Sequence, residues 1–224
     1  MSTTIVCCNT RKYHGLMVCP IKEGDEKSYV LLSSLDETVI QHGQQFNLAL
    51  HRFPGIYEPR GHKYIVDFEY NPTPTILYRV GGVLLKKAIL WRQHTSHSRL
   101  FVRYTLLEAK SETTLRLRPF LAFREKHALS KANMYANGHS WDVKGGVKCR
   151  LYGEFPYLYM QCSDPMAEFV AAPDWYYDFE YAEEAKRGYD HHEDLMTTGY
   201  FEVKLAKNKP LVFSASLEEI DPEK

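Results

Sequence analysis

The chain has 224 residues, 44% of them hydrophobic, and its 28 basic and 28 acidic side chains cancel to a formal net charge of +0. That length buries a substantial core, as one large all-β domain or two small ones, while the charge balance leaves no field to gather nucleic acid or an anionic membrane, so neither is expected as a partner. No apolar run approaches the ~18 residues of a spanning helix and no basic-then-apolar leader follows Met1, which places the expected location in the cytoplasm.

Taken in order, the chain reads as strands. An apparent strand at 3–8 carries the adjacent Cys7 and Cys8, and a second at 14–19 follows the segment Asn9-Thr10-Arg11-Lys12-Tyr13-His14-Gly15, which packs two cations, an aromatic, an imidazole and an amide between apolar neighbours. Further strands are expected at 28–33, 37–41 and 45–50, then where Tyr64, Val66, Phe68 and Tyr70 alternate with charged residues, and at 75–80 and 83–91. Leu100, Val102, Tyr104 and Leu106 alternate with Arg99 and Arg103, and Leu115 and Leu117 with Arg116 and Arg118; period two puts each set on its own face of a sheet. The remaining runs are 140–144, 147–152, 157–163, 167–172, 199–205 and 210–216, with Gly81-Gly82, Asn137-Gly138 and Gly145-Gly146 as two-residue hairpin turns. Helix is expected only at 176–187, where Tyr177, Tyr181 and Ala185 form a short stripe ahead of Gly188, with a further short turn at 127–135. About fifteen strands and one helix close best as a large two-sheet antiparallel β-sandwich. No linker, repeat or low-complexity tract divides it, so one domain over 1–224 is expected.

The five cysteines show no C-x-x-C spacing and read as reduced, mostly buried thiols without a zinc site. Phosphate-loop, dinucleotide and nucleophile-elbow patterns are lacking, and no cofactor is expected.

Several ordered motifs carry a resemblance. Asn9 to Val18 (NTRKYHGLMV), Leu31 to Val39 (LLSSLDETV), Arg52-Phe53-Pro54-Gly55, Arg118 to Arg124 (RPFLAFR), His127-Ala128-Leu129, Trp175-Tyr176, and Arg187-Gly188 with Glu193-Asp194-Leu195 resemble, in that order, the N-terminal domain of bacterial and archaeal glycogen debranching enzymes of the amylo-α-1,6-glucosidase type. The resemblance implies a β-sandwich akin to the galactose-mutarotase sandwich and to the front domains of glucoamylases and maltose phosphorylases. It also implies a further segment ahead of Thr3-Thr4 and a helical catalytic barrel after this chain, which reads as the front half of a two-domain enzyme.

The acidic residues offer no convincing catalytic pair, because neighbours on a strand face opposite ways, whereas glycosidic cleavage needs two carboxyl groups ~5 to 9.5 Å apart around one bond. No catalytic residue is assigned. Asp36-Glu37 reads as a strand-opening turn bonded to local backbone, with ligand or interface contact as the alternative. His191-His192-Glu193-Asp194 reads as a solvated loop in preference to a metal site, and His62, His94 and His97 as surface residues. Tyr157 and Tyr159 read as sheet-face packing, and Trp175 as a loop residue divided between packing and sugar stacking. The candidates for substrate binding or domain contact are Asn9, Arg11, Lys12, Tyr13, His14, Asp36, Glu37, Arg52, Arg124, His127 and Trp175. The Arg11–His14 cluster is expected on a surface facing the barrel, with Asp36, Glu37 and Arg52 near it.

The favoured function is a non-catalytic domain that packs on the barrel and helps position an α-glucan branch, with self-association where the barrel is absent. The alternatives are a free-standing carbohydrate-binding module and a mutarotase-like enzyme using a His and a carboxylate as acid and base.

Overall fold

The computed structural model describes residues 1–22, 24–93 and 98–221; His94 and His97 lie outside them. In chain order the strands are β1 (Met17–Cys19), β2 (Tyr29–Gln41), β3 (Gln44–Asn47), β4 (Leu50–Phe53), β5 (Ile56–Arg60), β6 (Ile65–Glu69), β7 (Thr75–Val80) and β8 (Val83–Gln93). They continue as β9 (Ser98–Glu108), β10 (Thr114–Glu125), β11 (Ser140–Val143), β12 (Gly146–Cys149), β13 (Leu158–Cys162) and β14 (Glu168–Glu180). One α-helical turn, α1 (Ala182–Ala185), precedes β15 (His192–Lys204) and β16 (Pro210–Ser216).

These strands form two large antiparallel sheets. One is six-stranded, in the order β1-β2-β10-β15-β14 with β3 pairing β2, and the other eight-stranded, β11-β12-β13-β16-β9-β8-β7-β6. One apolar cluster joins their inner faces, with Leu35, Val39, Leu117 and Phe201 of the first sheet among Leu85, Val102, Tyr104 and Phe213 of the second. Phe201 and Phe213 meet edge to face, centroids 5.9 Å apart. The fold is therefore the expected two-sheet sandwich, with a period-two pattern that turns Leu115 and Leu117 inward and Arg116 and Arg118 outward.

Hairpin β4–β5 belongs to neither sheet. It lies over the outer face of the six-stranded sheet, on a second apolar cluster of Val30, Phe120, Ala122, Phe179 and Leu195 to which Phe53 and Tyr176 add. A 3-10 turn at Gly61–Tyr64 follows it, and the Gly61 N–H donates to the Ala49 carbonyl at 2.8 Å. A Cβ at Gly61 would stand 2.0 Å from the Leu48 carbonyl carbon, so glycine is what lets the two segments touch.

Several expected elements differ. The segment 3–8 forms no strand, and the nearest pairing is the Ser2–Gly15 bridge just ahead of it; the Thr4 hydroxyl bonds both the N–H and the carbonyl of Cys8, and Cys7 takes φ 56°. The runs 28–33 and 37–41 are one strand, β2, so Asp36-Glu37 lies mid-strand and not in an opening turn. The helix expected at 176–187 shrinks to α1, since 176–180 belongs to β14 and Trp175 is a strand residue as well. Gly81-Gly82, at φ 55° and 80°, makes the β7–β8 hairpin turn, whereas Asn137-Gly138 lies in the loop before β11. Tyr157 stacks edge-on to Trp141 and lies under Arg150, on the sheet face.

Candidate functional site

The long strand β2 sends consecutive acids to opposite sides. Glu37 turns into the sandwich, 2% exposed, where it takes Lys87 Nζ at 2.6 Å and the Tyr104 hydroxyl at 2.6 Å. Burial alone would lower the Lys87 pKa, but Cys7 and Glu37 beside the ammonium overturn this and hold it above the ordinary lysine value. Burial and the Glu37 carboxylate raise Tyr104 as well. Glu37 is thus a core residue apart from any surface cluster, contrary to the expectation that it neighbours Arg11–His14.

Asp36 faces outward and meets His51 of β4, whose Nε2 lies 2.8 and 2.9 Å from the two carboxylate oxygens. The His51 ring is set edge-on among Phe53, Phe120 and Phe179. Register places Arg118 directly opposite Asp36 and Arg116 opposite Thr38. Arg118 donates to the Tyr176 hydroxyl at 2.8 Å and lies over the Tyr176 and Tyr200 rings, while Arg116 pairs with Glu202 at 2.6 Å and covers Tyr200. Asp36, His51, Arg116, Arg118 and Tyr176, with Glu58 and Pro59 of β5, line a depression of about 300 Å³ under the hairpin. The depression presents guanidinium donors and ring faces. Of its two carboxylates, Asp36 meets His51 Nε2 at both oxygens, and Glu58 lies on the hairpin wall.

A narrower cleft adjoins it through the shared His51 and Phe179, and Asn9, Ser33, Arg52, Glu180 and Tyr181 line this one. Asn9 Nδ2 donates to the Ser33 carbonyl at 3.1 Å, and Arg52 Nε donates to Glu180 at 2.8 Å. Beside them 11–14 is a tight turn, closed by His14 N–H to the Arg11 carbonyl at 3.0 Å and by Thr10 N–H to His14 Nδ1 at 3.2 Å. Arg11 faces Glu184 of α1 at 4.0 Å; Tyr13 packs edge-on to His14, and Lys12 Nζ lies over the Tyr189 ring. Burial, reinforced by Arg11, lowers the His14 pKa.

Arg124 holds this turn from below. It is 6% exposed, and it forks onto Glu193, which is 0% exposed. Its Nη2 also donates to the Lys12 carbonyl at 2.6 Å. Glu193 further accepts from the Ser130 N–H and hydroxyl, each at 3.0 Å, and from the Tyr181 hydroxyl. The solvated loop expected at 191–194 is from His192 onward the start of β15, with Glu193 buried and Asp194 capping the Ala132 N–H at 3.0 Å. His127 stands exposed after β10, away from its motif partner Arg124, and Trp175 packs toward the sandwich core. Of the predicted set, the structure brings together Asn9, Arg11, Lys12, Tyr13, His14 and Arg52, with Asp36 next door through His51. His51, Arg118, Tyr176 and Glu180 were missed, although the parity of RPFLAFR and the register with β2 point to Arg118.

These features define a two-sheet antiparallel β-sandwich with a flap-walled depression on one outer face. Residues 1–212 match the family described as glycogen debranching enzyme N terminal, and the chain belongs to that family. A search of curated proteins finds no match. Among solved structures, the chain is similar to a bacterial glucoamylase complexed with acarbose, at 7% identity and TM-score 0.47 over 85% of this chain and 27% of that one. A polysaccharide lyase matches at 13% identity and TM-score 0.34, over 83% and 25%. The chain spans about a quarter of the length of these structures. Among the described residues no helix is long and apolar enough to cross a membrane.

Proposed function

We propose that the chain is a non-catalytic domain of a glycogen debranching enzyme: the outer face of its six-stranded sheet packs on a helical catalytic barrel, and the depression under hairpin β4–β5 helps hold the α-glucan branch. The observation that carries this reading is the pairing of Arg116 and Arg118 with Tyr176, Tyr200 and the Asp36–His51 pair on an outward sheet face. A plain solvated face has no need of stacked guanidinium and aromatic groups, whereas Arg and Tyr are the side chains that dominate binding surfaces. Planar N–H forks suit sugar hydroxyls and carboxylates, and the rings suit the C–H faces of a glucose unit. The Arg11–His14 turn extends the same surface along the narrower cleft. With no barrel present, this face is the one through which the chain would self-associate. The placement in the cytoplasm belongs to the same reading, through the α-glucan taken as substrate.

The test mixes the chain with a separately expressed debranching barrel and with limit dextrin, and compares wild type with Arg118→Ala, Tyr176→Ala, Arg11→Ala and His14→Ala. Loss of a central anchor costs about 2 kcal/mol, so Arg118→Ala and Tyr176→Ala are expected to weaken barrel binding about 30-fold. Equal binding by every variant, or none by wild type, overturns the docking role. Dextrin affinity in the isolated chain without any binding to the barrel would instead favour a free-standing binding module.

A further inference from the structure

Where β14 ends and β15 begins, the fold collects three groups that the depression and the turn at 11–14 leave unused. Glu180 and His192 are paired across the two strands, and His191 precedes β15, joined to Tyr181 N–H through its own carbonyl at 2.8 Å. Because His191 lies outside the strand, the two neighbouring histidines escape the alternation that would send them to opposite faces. Their rings lie side by side, centroids 4.3 Å apart. One ligand atom from each of Glu180, His191 and His192 lies within 4.8 Å of the other two.

The protonation pattern is set for a cation. His191 Nδ1 lies 2.8 Å from the Tyr189 carbonyl, which only accepts, so in the neutral ring Nδ1 carries the proton and Nε2 the lone pair. That Nε2 points at Glu180 Oε1, 3.7 Å away, close to the ~3.4 Å edge of a tetrahedron built on ~2.1 Å zinc bonds. His192 Nδ1 is buried and has no hydrogen-bond partner among the described residues. Arg52 fixes Glu180 from behind through Oε2 and leaves Oε1 free, the kind of outer contact that orients a ligating carboxylate. With side-chain exposures of 29% for His191 and 10% for Glu180, solvent reaches the group.

We infer that Glu180, His191 and His192 form a binding site for one divalent transition-metal ion of the zinc class, with water as the fourth ligand. Two imidazoles and one carboxylate are a zinc set, whereas magnesium and calcium call for oxygen ligands. The ion would tie the end of β14 to the start of β15 and, through Arg52, to hairpin β4–β5. It requires neither the barrel nor a glucan.

The experiment strips the chain with a chelator and titrates it with zinc chloride by calorimetry in excess magnesium. About one zinc per chain is expected, with a raised melting temperature. His191→Ala and His192→Ala should each weaken binding ~100-fold or more, beyond the ~10–100-fold that loss of an outer contact costs. His62→Ala and His127→Ala, at exposed histidines elsewhere, should leave it unchanged. Circular dichroism establishes that each variant is folded, and His191→Ala, at a partly exposed side chain, keeps the test valid if Glu180→Gln does not fold. No saturable zinc binding, binding that survives both His191→Ala and His192→Ala, or an equal loss in His62→Ala overturns the site.

Discussion

Replacing Arg124 by alanine tests the reading of the N-terminal turn most directly. The guanidinium makes five hydrogen bonds: two to Glu193 and one each to the carbonyls of Lys12, Glu125 and Lys126. Its removal leaves Glu193, 0% exposed, as a buried carboxylate with Ser130 and Tyr181 as its donors among the described residues. Breaking one side of a buried pair costs about 3–5 kcal/mol, which lowers the melting temperature by about 6–20 °C for a domain of this size. Arg116→Ala is the control, because its pair with Glu202 is 21% and 33% exposed and exposed pairs contribute about 0.2–1 kcal/mol. Urea unfolding followed by fluorescence gives the two losses. Limited trypsin digestion gives the local effect, since freeing the Lys12 carbonyl should speed cleavage after Arg11 and Lys12. The combined Arg124→Met, Glu193→Leu chain should regain most of the loss, because neither charge is then left alone. A loss for Arg124→Ala within about 1 kcal/mol of Arg116→Ala, or an unchanged cutting rate at the turn, would refute the argument.

Other expectations follow from the same contacts. Lys87→Met strands Glu37 in the core and should cost about 3–5 kcal/mol in urea unfolding; a change below 1 kcal/mol would contradict the buried pair. The His14 pKa is lowered from 6.5 by burial first and Arg11 second, so its share of stability is full above that value and fades as pH falls from there through the lower folded pKa. His14→Gln should flatten that part of the stability–pH curve, and an unchanged curve would speak against it. Burial pushes Cys8 to about 11 and Cys19, Cys149 and Cys162 to about 12, so these four thiols should resist iodoacetamide at pH 8 until urea is added. Rapid labelling of the native chain at these positions, read by mass spectrometry, would show them to be accessible. Gly61→Ala forces a Cβ against Leu48 backbone and should loosen hairpin β4–β5. Hydrogen exchange at 50–60 equal to wild type would count against that.

The sandwich was legible because its strands obey a local rule: Leu100 to Leu106 and Leu115 to Arg118 alternate, and the structure alternates with them. Residues 173–180 hid the same rule. The pairing of β14 with β15 shifts register between Ala171 and Asp174 and again between Tyr176 and Phe179, and Asp178 takes φ 58°, so two bulges broke the period and left a spacing that imitates a helix. The polar string at 191–194 misled for another reason. What makes Glu193 a buried residue is Arg124, 69 positions away, and no local pattern records such a partner. His51 escaped likewise, as its role depends on a hairpin folding back over Asp36.

The grip of Arg124 on Lys12 also has a temporal side. The turn at 11–14 cannot gain its hold from the Arg124–Glu193 pair until Glu193 exists, about 180 residues downstream. At ~5–20 residues per second, a ribosome needs roughly 9–36 seconds to cover that distance. For all of that time Arg11, Lys12, Tyr13 and His14 travel with the nascent chain, outside their final fold and open to proteases and chaperones. A turn made early in this stretch is among the last of its parts to settle.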